Sequence, residues 1–186
     1  VRDGGEDCDG DDVGGLACAD VSANFGGGTL GCTDTCGFDT SACELAGDAA
    51  VVVINELSSS GDDEIELFNA GARPADISGW ILTDDLASPE DPYDGETDLE
   101  ELAFADGTTL GVGEYLVVIK GDAPGHPFGL STDGDNVTLL DASAQVIDFV
   151  GYGDMEAMAS YCRMPDGPTG AWQAGCTPSF GATNAP

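Results

Sequence analysis

The chain has few basic residues, one histidine and no long apolar run, and each of these shortages excludes a class of function. Its 186 residues include 4 Lys and Arg, 36 Asp and Glu and 1 His, giving a formal net charge of −32. Nucleic-acid-binding proteins neutralise phosphates with Lys and Arg, and anionic membrane surfaces attract basic segments, so we expect neither partner. No run approaches the roughly 18 apolar residues of a membrane-spanning helix, so we expect no membrane insertion by this chain.

The scarcity of histidine also limits the catalytic possibilities. His126 is the single histidine, lies in a turn-like Gly125-His126-Pro127 context and has no nucleophile motif beside it. A Ser–His–Asp site is therefore not expected, and we interpret His126 as an exposed loop residue. Carboxylate pairs carry no signal in so acidic a chain, because some pair reaches a glycosidase-like separation by chance. The sequence predicts a protein that is not an enzyme.

Cysteine is absent from the middle of the chain and dense at its start. The seven cysteines are Cys8, Cys18, Cys32, Cys36, Cys43, Cys162 and Cys176. A dense cluster in a Gly- and Asp-rich segment indicates a disulfide framework in an oxidising compartment. Zinc is the competing interpretation, but only Cys32 and Cys36 have the close spacing that zinc ligands need. We therefore expect a secreted or cell-surface protein.

Turn-forming residues and short apolar runs are plentiful. The runs are rich in Val, Ile, Leu or aromatic residues and cover 51–57, 64–68, 77–83, 112–120, 136–140 and 145–150. No amphipathic helices separate them, so they predict the strands of an immunoglobulin-like antiparallel β-sandwich. Polar and apolar residues alternate at 64–67 and 147–149, which predicts one buried face and one wet face, with Glu66 and Asp148 on the wet one.

The composition divides the chain into two units. Residues 1–46 lack apolar periodicity and cannot bury enough surface to fold without covalent cross-links. We therefore predict a small, loop-rich, disulfide-stapled segment at 1–46 and the sandwich at 47–186, giving an all-β protein. Residues 84–101 include nine acids, and we expect this segment to be a solvated loop.

Calcium is the one cofactor that the composition makes plausible, because it takes about six to eight oxygen ligands and clustered Asp and Glu on Gly-containing loops supply them. The candidate ligands are Asp84, Asp85, Glu90, Asp91 and Asp94, then Asp7, Asp9, Asp11 and Asp12, and finally Asp133 with Asp135. None of these clusters has the full EF-hand pattern. The alternative is an acidic surface that keeps the protein soluble, and the sequence leaves both interpretations open.

The apolar runs also carry a series of short motifs in a fixed order. These are INEL at 54–57, EIELFN at 64–69, ISGWILTD at 77–84, GTTL at 107–110, GEYLVV at 113–118, GLS at 129–131, DNVTL at 135–139 and RMPDG at 163–167, followed by Trp172, Thr177-Pro178 and Asn184. Through these motifs residues 50–184 resemble the bacterial lamin tail domain. The resemblance implies an immunoglobulin-like sandwich with a binding or attachment role and without established catalytic residues. Cys162 and Cys176 depart from the family pattern and indicate a local disulfide.

The first unit has a pattern of its own. Its elements are GEDCDG at 5–10, Cys18, Phe25 with GGTL at 27–30, Cys32, Cys36, FDTS at 38–41 and Cys43. With them residues 1–43 resemble the cysteine-rich repeat of secreted myxobacterial proteins. That repeat has a further cysteine upstream, so the resemblance implies that the chain begins inside a repeat and that Cys8 has lost its partner. The pairings expected on this basis are Cys18–Cys32 and Cys36–Cys43.

Together these observations predict a non-catalytic extracellular module that attaches to a protein or cell-surface component, or serves as a structural part of a bacterial surface protein. Two alternatives are an accessory domain of a secreted hydrolase or nuclease and a calcium-dependent adhesion module. The excess of acids further predicts that salt stabilises the fold by screening self-repulsion.

Overall fold

The computed structural model describes residues 8, 10, 12–33, 36–47, 49–85, 93 and 101–186. Within these residues the secondary structure is one helical turn and fifteen short strands, which confirms the predicted all-β class. The helical turn is α1 (Cys18–Val21), and the strands are β1 (Phe25–Gly28), β2 (Gly31–Cys32), β3 (Phe38–Asp39), β4 (Cys43–Leu45), β5 (Val52–Leu57), β6 (Ile65–Asn69), β7 (Ala75–Asp76), β8 (Ile81–Thr83), β9 (Glu101–Ala103), β10 (Thr109–Leu110), β11 (Tyr115–Val118), β12 (Gly134–Leu140), β13 (Val146–Gly153), β14 (Tyr161–Met164) and β15 (Ala171–Ala174). No helix in the described part of the chain is long and apolar enough to cross a membrane.

Two antiparallel sheets form the body of the immunoglobulin-like sandwich. One sheet has the strand order β11–β6–β5–β14–β15, and the other has the order β13–β12–β8–β9. Each of the six predicted runs overlaps one of these strands. Side chains from both sheets, among them Ile54, Leu67, Leu82 and Leu139, form one buried apolar cluster. Burial of this cluster removes apolar surface from water, which stabilises the packing of the two layers.

The cysteine-rich unit (residues 1–46) contains α1 and the strand pairs β1–β4 and β2–β3. Its disulfides differ from the expected ones: Cys18 pairs with Cys43, and Cys8 pairs with Cys32. The pairings Cys18–Cys32 and Cys36–Cys43 are therefore wrong, and Cys8 has its partner within this chain. Cys36 takes part in none of the described disulfides.

Strand pairing explains these disulfides. The β1–β4 register places Cys43 opposite Gly28, and α1, which carries Cys18, packs against β1. Gly28 has φ = 93°, and a Cβ atom there would lie 2.3 Å from the carbonyl oxygen of Ala42, so this close pairing requires glycine. Cys8 donates its amide to the carbonyl of Cys36 at 3.2 Å, which holds it beside the β2–β3 hairpin.

The cysteine-rich unit is attached to the sandwich by a short buried segment. The side-chain amide of Asn24 donates to the carbonyl oxygens of Val52 at 2.7 Å and of Ile147 at 3.3 Å. The hydroxyl of Ser22 also donates to the Ile147 carbonyl, and Ala23 packs against the large apolar cluster. The contact therefore joins the unit to β5 of one sheet and β13 of the other.

Candidate functional site

A β-bulge in β5 brings two acidic side chains together on the face of the sheet that points away from the apolar core. Ile54 pairs with Leu67 and Glu56 pairs with Glu66, so Asn55 is the extra residue. Glu66 follows core-facing Ile65 in an alternating strand and therefore points to the opposite face. Glu56 and Glu66 are both fully buried. The prediction that Glu66 lies on a wet face is wrong, because the chain covers this face.

The cover is the C-terminal segment (residues 177–186), whose polar groups donate hydrogen bonds to Glu56. The amide and hydroxyl of Ser179 each donate to the Glu56 carboxylate at 3.0 Å. The hydroxyl of Ser160, which immediately precedes β14, donates to the same carboxylate at 2.6 Å. These donors offset the cost of removing the negative charge from water.

Glu66 is held in the same way. The amide of Gly181 donates to it at 2.6 Å, and the side-chain amide of Asn55 donates at 2.9 Å. Burial raises the pKa of Glu66 to about 7, and the neighbouring charges of Glu56 and Asp166 add to the rise. The protonation of Glu66 therefore changes near neutral pH.

Asp166, in the turn between β14 and β15, completes the carboxylate cluster (Glu56, Glu66 and Asp166). It accepts hydrogen bonds from the Tyr115 hydroxyl at 2.6 Å, the Asn184 amide at 3.0 Å and the Asn55 side chain at 3.2 Å. Burial, and then the bond to Asp166, raise the pKa of Tyr115. The side chain of Asn184 donates to the carbonyl oxygens of Asn55 and Arg163, which fastens the end of the segment to two strands.

A buried ion pair stabilises β5 beside this cluster. Arg163 lies 3.0 Å from Asp148 and donates through Nε to the carbonyl of Ile54 at 2.9 Å, while the Ile54 amide donates to Asp148 at 2.8 Å. The pair thus takes the place of a neighbouring strand for both backbone groups of Ile54. Burial raises the pKa of Asp148, and the charge of Arg163 opposes that rise. Only 13% of the Asp148 side chain is exposed, so the prediction that Asp148 lies on a wet face is wrong.

The calcium candidates are mostly outside the described residues. Of the two main sets, only Asp12, Asp84 and Asp85 are described; Asp7, Asp9, Asp11, Glu90, Asp91 and Asp94 are not. In the third set the Asp135 carboxylate accepts the amides of Ser131 and Asn136 at 2.9 Å. Among described residues no three His, Cys, Asp or Glu side chains converge as a metal site would require. Calcium in the acidic loop therefore stays a prediction.

His126 is buried, which corrects its interpretation as an exposed loop residue. The residue is 1% exposed, and its ring stacks on Phe128 with 4.1 Å between centroids. Its two nitrogens lie 3.1 Å and 2.7 Å from the carbonyl oxygens of Phe128 and Asp63. Burial lowers the pKa of His126. Both nitrogens thus contact the backbone, and the ring ties the 122–128 loop to residue 63.

At the C-terminal hairpin, Cys162 in β14 pairs with Cys176 just after β15, as the sequence indicates. This bridge fixes the position at which the C-terminal segment begins. The carboxylate cluster then determines the path that the segment follows across the sheet. Sequence reasoning missed the cluster, although one signal was present: Asn55 and Glu56 interrupt an otherwise apolar run. Polar residues within a buried strand require partners, and here the partners come from the far end of the chain.

Comparison with known proteins identifies one family. Residues 46–154 match the family model described as Lamin Tail Domain, and they are more than half of the chain. The matched range includes Glu56 and Glu66 and ends before the C-terminal segment that covers them. No curated protein matches the chain.

Proposed function

The chain belongs to the lamin tail domain family, and from this premise we propose that it is a non-catalytic extracellular module that attaches to a protein or cell-surface component of a bacterium. A family fold alone does not define an activity, so the proposal depends on the site. The observation that carries it is the use of the carboxylate cluster. Glu56 and Glu66 are fully buried and accept hydrogen bonds from the C-terminal segment, which is a structural task.

The extracellular part of the proposal is supported by the cysteines. Three disulfides occur among the described residues, two of them within the cysteine-rich unit. Such bridges persist in oxidising compartments and are rare in the cytosol. The resemblance of the cysteine-rich unit to the repeat of secreted myxobacterial proteins further supports a secreted or surface-anchored parent protein.

Binding of the oxidised chain to bacterial envelopes tests the proposal. Fluorescently labelled protein is incubated with intact bacterial cells and with isolated envelopes, and the retained fraction is measured against protein concentration. We expect saturable retention. The control is the same protein after reduction and blocking with iodoacetamide, a neutral reagent that leaves the net charge nearly unchanged, and it should be retained only weakly. Retention of the oxidised form that does not saturate, or cleavage of DNA or polysaccharide that Glu66→Gln abolishes, would contradict the proposal.

A further inference from the structure

A cleft of about 270 Å³ lies between the cysteine-rich unit and the β14–β15 hairpin. Phe38, Asp39 and Ser41 line it from the first unit, and Arg163 and Trp172 line it from the hairpin. The volume is below the range of about 300–1,000 Å³ that is usual for pockets of drug-sized ligands. The cleft is therefore suited to one inserted side chain.

The aromatic wall of the cleft is held rigidly. Trp172 stacks on Tyr161 with 5.0 Å between ring centroids and 13° between planes, and the Arg163 guanidinium lies 4.8 Å from the Trp172 centroid. Trp172 and Phe38 both line the cleft and are half-buried, so each keeps part of its side chain exposed. A fixed aromatic surface loses little freedom on binding, which favours affinity.

The positive and negative side chains that line the cleft differ in how far their hydrogen-bonding capacity is already used. Arg163 is 7% exposed and is already bonded to Asp148 and to two backbone carbonyls. Asp39 is half-buried and accepts the amide of Ser41 at 2.9 Å, and hydrogen bonds from Ser41 lower the pKa of Asp39. Among the described lining residues, an ionised carboxylate is thus left to meet a ligand.

We propose that this cleft binds an arginine side chain presented by a partner protein. A guanidinium packs flat on aromatic rings and donates in a fork to a carboxylate, whereas an ammonium does neither as well. The net charge of −32 also attracts basic segments over longer distances. The inference rests on the proposed attachment function and names the partner chemistry for it.

The chain allows this to be measured directly because it contains two tryptophans. In a Trp80→Phe background, the fluorescence of Trp172 is followed while acetyl-Gly-Arg-Gly-amide is added. The citrulline peptide is the neutral isostere, and a lysine peptide and methyl glucoside are further probes. We expect saturation with the arginine peptide and at least about tenfold weaker binding of the citrulline peptide, the factor corresponding to the loss of one charge-assisted contact.

Asp39→Asn should weaken binding of the arginine peptide by at least about tenfold while keeping the turn, because asparagine still accepts the Ser41 amide. Asp76→Asn is the matched control, since the exposed Asp76 accepts the Ser78 amide at 3.0 Å in the same kind of turn, and it should leave binding unchanged. Equal affinity for arginine and citrulline, no effect of Asp39→Asn, or saturation only with methyl glucoside would overturn the inference. Envelope retention that Asp39→Asn leaves intact would overturn it while sparing the attachment function. Binding of the arginine peptide without any envelope retention would contradict the attachment function while leaving the arginine site in place.

Discussion

The cysteine-rich unit and the sandwich bury very different amounts of apolar surface. Among its described residues the unit has a cluster of four buried ones, Cys18, Phe25, Leu30 and Cys43. The described part of the sandwich has a cluster of nineteen, none of which is a cysteine. Two of the four members in the small cluster are the two halves of one disulfide. Where the core is too small, covalent bonds do the work that apolar burial does elsewhere.

The sandwich uses buried polar groups for a different purpose. The carboxylate cluster contributes no apolar burial, and its charges cost free energy to desolvate. It determines instead where the C-terminal segment lies, because each carboxylate accepts donors from that segment. The comparison indicates that disulfides keep the first unit folded, whereas in the sandwich the core provides stability and the polar cluster provides a unique path for the chain.

Removing the Cys18–Cys43 disulfide tests whether covalent bonds keep the cysteine-rich unit folded. Cys18 and Cys43 are 25 residues apart, and closing such a loop is worth about 3–4 kcal/mol. With Cys18→Ser and Cys43→Ser together, we expect amide hydrogens of 12–33 and 36–46 to exchange rapidly while those of β5, β6 and β12 stay protected. Hydrogen exchange read by mass spectrometry measures this.

The control for that experiment is the removal of the bridge of the hairpin by Cys162→Ser with Cys176→Ser. Its loss should leave β5 and β6 protected, because the large core holds the sheets. Slow exchange throughout the cysteine-rich unit without the Cys18–Cys43 bridge would show that its few apolar contacts are sufficient.

The titration of Glu66 sharpens the second half of the comparison. Its pKa is about 7 in the folded protein against an ordinary 4.5, so the folded state binds the proton more tightly. The resulting stability is present below about pH 4.5 and is lost as pH rises through about 7, by as much as about 3 kcal/mol. In urea unfolding between about pH 5 and 8, Glu66→Gln should therefore flatten the decline.

Glu64→Gln is the control for this slope, because it removes one acid from the same stretch at a partly exposed position. It should retain the decline of the unmodified chain. The comparison concerns slopes only, since glutamine cannot accept both of the hydrogen bonds that Glu66 accepts. An unchanged slope in Glu66→Gln would mean that other acids produce the pH dependence.

The same contrast explains what could be read from the sequence. The six main strands follow from local runs of β-branched and apolar residues, because a strand's pattern is contained in its own residues. The burial of Glu66 could not be predicted, since its partner Gly181 is 115 residues away. The Cys18–Cys43 disulfide depends on the β1–β4 register, which residue spacing does not determine.

Substitution of Asn24 tests how far the stability of the cysteine-rich unit depends on the sandwich, and it has the smallest expected change in stability of the three. Its side chain is buried and donates to the carbonyl oxygens of Val52 and Ile147. Asn24→Ala leaves these buried acceptors without that donor, which should cost about 1–3 kcal/mol. Calorimetry should then show two thermal transitions in place of one, because the unit no longer shares the stability of the sandwich. Thr29→Ala, at an exposed position of the same unit, should change stability by less than about 0.5 kcal/mol. A single transition in both variants would show that the covalent connection through residues 47–51, the Ser22 hydrogen bond and the packing of Ala23 suffice to couple the regions.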